Sequence, residues 1–155
     1  MARFDELSAR MQKALDGVLP DCPTFANKPW VAGPPLSARR VAMISSAGFM
    51  RRGEKPFVGG DADYRAIPAD IAPGDLLISH VSQNFDRTGF QQDVNVMLPL
   101  DRLREMAEDG EIGSLADTHY SFMGSTPPEK MEPDARRLAA DLKADNVDAV
   151  LLLPV

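Results

Sequence analysis

The sequence predicts an α/β protein: a three-layer sandwich with a mostly parallel central sheet, Rossmann-like in the loose sense. Three observations predict it. Short continuous apolar runs at 41–46, 75–79 and 147–153 read as strands. Amphipathic segments flank them. Polar residues gather just past the apolar runs, where open parallel sheets place their sites. Strands apolar on both faces need cover on both faces, and helices supply it in parallel sheets.

Each element follows from a local pattern. Phe4, Leu7, Met11, Leu15 and Val18 recur at spacings of three and four, the apolar face of an amphipathic helix. Gly17 and Pro20 stop it. Residues 20–37 (PDCPTFANKPWVAGPPLS) are irregular, because proline fixes φ and removes a backbone donor. Phe25 and Trp30 read as the anchors of this arm. Val41–Ser46 is a buried strand opening into Ala47-Gly48. Residues 49–74 are rich in Gly and Pro and read as long loops with one short strand. Asp75–Ser79 is the second buried strand and runs directly into His80. Leu100, Leu103, Met106 and Ala107 define a helix, with Pro99 suited to its first turn and Asp109-Gly110 to its end. Ile112–Ala116 is a short apolar stretch. Met131, Ala135, Leu138, Ala139 and Leu142 define the last helix, and Val147–Leu153 the third strand. The expected organisation is a single domain over 1–155, made of an N-terminal amphipathic helix (1–19), a Pro-rich arm (20–38) and an α/β body (39–155).

Bulk properties exclude several functions. The formal net charge of −6 argues against a nucleic-acid surface, which needs excess Lys and Arg facing phosphates, and against an anionic membrane. Met1 to Leu19 interleaves charged and apolar residues, which is not the pattern of a signal peptide. The longest apolar run, Ala149–Val155, is far short of the roughly 20 residues of a membrane helix. One cysteine, Cys22, allows no internal disulfide, so a reducing cytoplasm is the expected compartment. No GxGxxG, P-loop or Gly-x-Ser-x-Gly occurs, and no nucleotide cofactor is expected. Exposed apolar surface on the first helix and the arm points to a homo-oligomer.

The densest polar region is Ser79 to Asp101 (SHVSQNFDRTGFQQDVNVMLPLD). It carries Ser79, His80, Asp86, Asp93 and Asn95. The second histidine, His119, lies in THYSFMGST. Three readings stand side by side. His80, His119, Asp86 and Asp93 can supply imidazole and carboxylate ligands to a divalent metal. A histidine with an aspartate can act as general acid and base. The same residues can also cap helices and close turns. Gly124-Ser125-Thr126 before the last helix can receive an anion or serve only as its cap.

Val41–Gly48 (VAMISSAG), Gly60-Asp61, Tyr64-Arg65, Ile67-Pro68 and Ile78-Ser79-His80 together resemble the selenoprotein B family of glycine/sarcosine/betaine/D-proline reductases. So do Asp93–Asn95, Leu98-Pro99, Arg102-Leu103, Gly110–Ala116 (GEIGSLA), His119–Gly124 (HYSFMG) and Val147–Val155 (VDAVLLLPV). The resemblance spans about residues 40–155. It implies reductive cleavage of a carbon–nitrogen bond in a small amine or amino acid, a pyruvoyl-type partner subunit, and a dithiol as electron donor. A selenolate or thiolate suits the attack because it is nucleophilic near neutral pH. In the family, the strand resembling Val147–Val155 runs on into a loop bearing that Cys or selenocysteine. Here the sequence ends at Pro154-Val155, and Cys22 matches no redox position of the family. The resemblance therefore carries over only a pocket side: His80, His119 and Asp93 as catalytic groups, and Ser79, Asp86 and Asn95 as substrate-binding groups.

Overall fold

The computed structural model describes residues 3–24, 26, 30–82 and 87–155. The chain divides into two units, Met1–Val31 and Ala32–Val155.

In the first unit, helix α1 (Ala9–Val18) starts at Ser8, whose hydroxyl accepts the Met11 N–H at 3.3 Å. This is an N-cap bond. It places the helix start five residues after Phe4, which lies in a separate 3₁₀ turn (Phe4–Glu6). Met11 and Leu15 are exposed. Phe25 and Lys28 lie outside the described residues, and Trp30 is exposed.

The second unit is built on β1 (Arg40–Ser45). β2 (Phe49–Arg51) and β3 (Tyr64–Pro68) follow, then β4 (Leu76–Ile78), a short helix α2 (Thr88–Gln92) and α3 (Leu100–Glu108). The chain closes with β5 (Ser114–Leu115), β6 (Thr118–Phe122), α4 (Pro128–Ala144) and β7 (Ala149–Leu153). β7 runs parallel to β1 over the whole of Val41–Ser45. β5 and β6, consecutive in the chain, are parallel to β1 as well and share its other edge. β3 completes the sheet antiparallel to β6. The sheet is thus mostly parallel, in the order β3, β6, β1, β7, with β5 in line with β6.

Alternation along the strands makes two cores. Ala42 of β1, with Tyr120 and Phe122 of β6, packs with Leu138 and Leu142 of α4. Val41, Met43 and Ile67 pack on the opposite face with Leu100 and Leu103 of α3. Helix, sheet and helix are the three layers that two-faced strands require. Gly110 has φ 74° just beyond α3, the left-handed cap expected of Asp109-Gly110.

One strand departs from the sequence reading, and another falls where only an unplaced short strand was expected among loops. The apolar run 75–79 is a strand, but β4 pairs antiparallel with β2 in a separate two-stranded sheet. Only three residues extend, and buried Phe49 and Leu76 pack it onto the α3-side core. β3 falls in a segment read as mainly loop. Tyr64 on one face and Ile67 on the other supply the alternation, and Tyr64 meets Tyr120 edge-on at 5.5 Å.

The amino end of the sheet is tied by Arg40. Its guanidinium donates to the Asp145 carboxylate (2.9 Å), the Leu115 carbonyl (2.8 Å) and Asp117 (3.1 Å). One side chain thereby joins β1, β5 and the end of α4. No helix among the described residues is long and apolar enough to cross a membrane.

Candidate functional site

The carboxyl ends of β1, β6 and β7 converge on small hydroxyl residues and glycines, held by side chain–backbone bonds. Ser45 accepts the Ala47 N–H (3.2 Å) and donates to the Met97 carbonyl (3.3 Å). Ser121 accepts the Phe49 N–H (2.8 Å) and donates to the Ser45 carbonyl (3.1 Å). The Ser46 hydroxyl accepts the Val155 N–H at 2.8 Å. Strand ends leave backbone groups without ladder partners, and a short hydroxyl is the smallest group that satisfies them. Gly124 must be small: a Cβ there would lie 2.8 Å from the Ser46 carbonyl oxygen. Beside Ser45 and Ser46 a cavity of about 360 Å³ opens, lined mainly by apolar atoms of Ile44, Phe122, Met131 and Leu152.

His80 sits at the exit of β4, against this region. Gly48 donates to the Phe122 carbonyl (2.9 Å), and its own carbonyl accepts the Ser79 N–H (2.9 Å). With φ 68°, Gly48 lets the two chain segments touch; a Cβ would be 3.1 Å from the His80 nitrogen. His80 is buried, and its Nδ1 accepts the Ser82 N–H at 3.1 Å. Burial lowers its pKa, and the nearby Arg87 charge lowers it further. Ser79 accepts the Phe57 N–H at 2.9 Å.

His119 lies inside β6 rather than past a strand, fully buried. Between β5 and β6 the ladder to β1 is interrupted, and the Met43 N–H donates to His119 Nδ1 at 3.0 Å. The proton of the neutral ring then sits on Nε2, which has no hydrogen-bond partner among the described residues. Desolvation pushes the pKa of His119 down to about 4, with Arg104 and Arg40 adding to it.

Asp93 and Asn95 are brought together in the turn before α3. Asp93 Oδ1 accepts from the Asn95 backbone (2.9 Å) and side chain (3.0 Å). Asn95 in turn bonds both the carboxylate and the N–H of Asp101 at 3.0 Å. The Asn95 backbone bond, then its side chain, hold the Asp93 carboxyl below its ordinary pKa. This turn lines a polar depression of about 420 Å³ with Gln91 and Gln92. Asp86 lies outside the described residues. Among the described residues no three His, Cys, Asp or Glu side chains group closely enough to hold a metal ion. Cys22 is exposed, outside any disulfide, and in the first unit.

Sequence reasoning passed over Ser46 and Ser121 as site-builders. Their signal was present: VAMISSAG and HYSFMGST each turn from apolar to small and hydroxylic at a strand end. The Gly124–Thr126 run is already engaged, since Ser125 bonds the Met123 sulfur and Thr126 bonds the Asp61 carbonyl.

Comparison with known proteins adds identity to this geometry. The family model for glycine/sarcosine/betaine reductase selenoprotein B matches residues 35–154. The D-proline reductase subunit gamma of Acetoanaerobium sticklandii is 36% identical over 120 residues, covering 76% of this chain and 49% of that subunit. The glycine reductase complex component B subunit gamma of Carboxydothermus hydrogenoformans is 32% identical over 122 residues, covering 76% of this chain and 28% of that one. The betaine reductase complex component B subunit beta of Peptoclostridium acidaminophilum is 32% identical over 73 residues, 46% of this chain and 17% of that one. No solved structure matches. The chain spans about half or less of the length of these curated relatives. With 120 consecutive residues matched at the level of the family, spanning every strand of the sheet, the chain belongs to the glycine/sarcosine/betaine reductase selenoprotein B family.

Proposed function

We propose that this chain supplies the small-molecule side of a reductase component that cleaves a carbon–nitrogen bond in glycine, its N-methylated derivatives or D-proline. The observation that carries the reading is the family match over 35–154, which spans both the serine-lined strand ends and the Asp93 turn. The cleavage consumes two electrons and two protons, and oxidation of a dithiol to a disulfide releases both. The one thiol of this chain, Cys22, lies before the matched region. The reading assigns residues 35–154 binding, orienting and proton-holding roles beside the nucleophile and a pyruvoyl-type subunit of the assembled complex. Asp93 and Asn95 line a depression that suits an ammonium group. His80, kept neutral by burial, accepts the Ser82 N–H at Nδ1 and so carries its proton on Nε2, where it can donate it, and Ser79 holds the strand exit beside it through its bond to Phe57.

The test is calorimetric titration of the chain with D-proline, glycine, sarcosine and betaine, wild type beside Asp93→Asn and His80→Gln. The expected result is saturable binding of one of them, weakened roughly tenfold or more by Asp93→Asn, since a charge-assisted contact is worth about 1.5–3 kcal/mol. Absence of binding for all four, by a chain whose circular dichroism shows it folded, overturns the assignment of the substrate side to this chain.

A further inference from the structure

We infer that Arg87 is the positioning residue for His80: by bonding the His80 carbonyl it closes the turn in which Ser82 occupies Nδ1, and so fixes both the place of the ring and the nitrogen that carries its proton. The Arg87 guanidinium donates to the His80 carbonyl oxygen at 2.7 Å, and the Ser82 N–H donates to Nδ1 at 3.1 Å. The last ladder pair of β4 is Ile78 with Phe49. The His80 carbonyl therefore lies past the strand, where a backbone acceptor needs a partner from elsewhere. A ring nitrogen that accepts an N–H has no proton of its own, so the bond from Ser82 puts the proton on Nε2. The reading of His80 as a proton donor, on which this inference builds, needs that tautomer.

Arg87 can act as a fixed post because its backbone is anchored. It stands immediately before α2, and its carbonyl accepts the Gln91 N–H at 3.1 Å. Three residues on, Phe90 packs against the α3-side core and meets the Phe49 ring at 5.3 Å. Phe49 is fully buried in β2, directly after Gly48. Gly48 in turn lies against the His80 backbone, where an added Cβ would be 3.1 Å from the nitrogen. The contacts close a circuit from His80 through Arg87, Phe90, Phe49 and Gly48 back to His80. Side chains held by packed elements in this way keep their geometry.

Charge acts in the same direction. Protonation at Nδ1 would set two N–H groups against each other and break the turn. Burial, and then the Arg87 cation, also oppose the imidazolium. Among the described residues Arg87 is the charged group that acts on the ring; Gly48 presents backbone and Ser82 a backbone N–H. An arginine serves here where a neutral donor would not, because one group supplies both the hydrogen bond and a charge that no ordinary pH removes. His80 is thereby kept as a neutral imidazole that gives its hydrogen bond from Nε2.

The experiment is NMR of the histidine ring nitrogens in the full chain across a pH series, for wild type, Arg87→Lys and Arg87→Gln. The His119 ring serves as the internal reference for an intact sheet. Wild-type His80 should show one tautomer, protonated at Nε2. Arg87→Gln keeps a donor but loses the charge, so the His80 titration midpoint should move up and the second tautomer should emerge. Arg87→Lys keeps the charge and should stay nearer wild type. A side chain that merely satisfied a carbonyl would be replaced by glutamine without effect, so identical His80 titrations in wild type and Arg87→Gln overturn the inference. Wild-type His80 carrying its proton on Nδ1 overturns it as well, with no variant needed. No amine enters these measurements, so an absence of amine binding overturns the proposed function and leaves the geometry assigned to Arg87 standing.

Discussion

The two histidines of this chain occupy contrasting places. His119 is part of a strand, fully buried, and its Nδ1 replaces a missing carbonyl for the Met43 N–H. His80 lies just after a strand, where the backbone turns, and its Nδ1 is bonded to an N–H two residues along. One ring belongs to the ladder and the other to a loop. The same residue type therefore carries a large structural duty in one place and a small one in the other. Nearness to an apolar run says little about which; what matters is whether the backbone beside the ring is still pairing.

The sharpest way to break that contrast is His119→Ala. It removes the acceptor of a buried N–H, which costs about 1–3 kcal/mol, and leaves a cavity in the α3-side core, which adds a comparable amount. A loss of about 4 kcal/mol is expected in urea unfolding. His119→Gln, whose amide oxygen can accept the same bond, should recover much of it. Equal losses for the two variants would mean that the Met43 bond contributes little.

The second effect is acid lability. The unfolded pKa of a histidine is about 6.5, and His119 in the folded chain is held at about 4. Between those values the unfolded chain binds a proton that the folded chain declines, so stability falls as pH falls. The contribution is fully present above pH 6.5 and lost as pH drops through the window to about 4. Roughly 3 kcal/mol is involved. Unfolding curves of wild type and His119→Gln at pH 7.5, 5.5 and 4.5 should converge as the pH drops. Parallel curves would show that His119 binds a proton in the folded chain as readily as in the unfolded one. His80 is lowered in the same direction, and both proteins retain it, so its share cancels.

How much of this was legible follows from which forces act locally. β1 and β7 were readable because four and five apolar residues in a row leave few alternatives, and α4 because Leu138 and Leu142 fix a face. The partner of β4 was not readable: three extended residues bear no mark of which strand they will pair with. The short strand expected within 49–74 was not placed, because the apolar residues of β3 alternate with Arg65 and end in a proline, a weak pattern on its own. At the candidate site, the joining of Asp93 to Asn95 was local and therefore visible as a cap. The bond from Met43 to His119 spans 76 positions and depends on a break in the ladder that no short window contains. Even so, THYSF holds the clue, since Tyr120 and Phe122 alternate with His119 and Ser121 and so place the imidazole on an inward face.

The smallest effect tests the other histidine. Gly48 holds a left-handed φ of 68° and leaves only 3.1 Å between an added Cβ and the His80 backbone nitrogen. In Gly48→Ala the left-handed backbone costs about 1–2 kcal/mol, and relief of the contact moves the β4 exit away from the end of β1. The neighbouring atoms are backbone, so no side chain can swing aside. We expect a net destabilisation of about 2 kcal/mol, smaller than that of His119→Ala, with the His80 ring signal displaced in NMR spectra and the His119 signal unmoved. That outcome would confirm that the two rings report on separate parts of the fold. A shift of both would mean that the loop carrying His80 and the ladder containing His119 move as one body, and the contrast between them would dissolve.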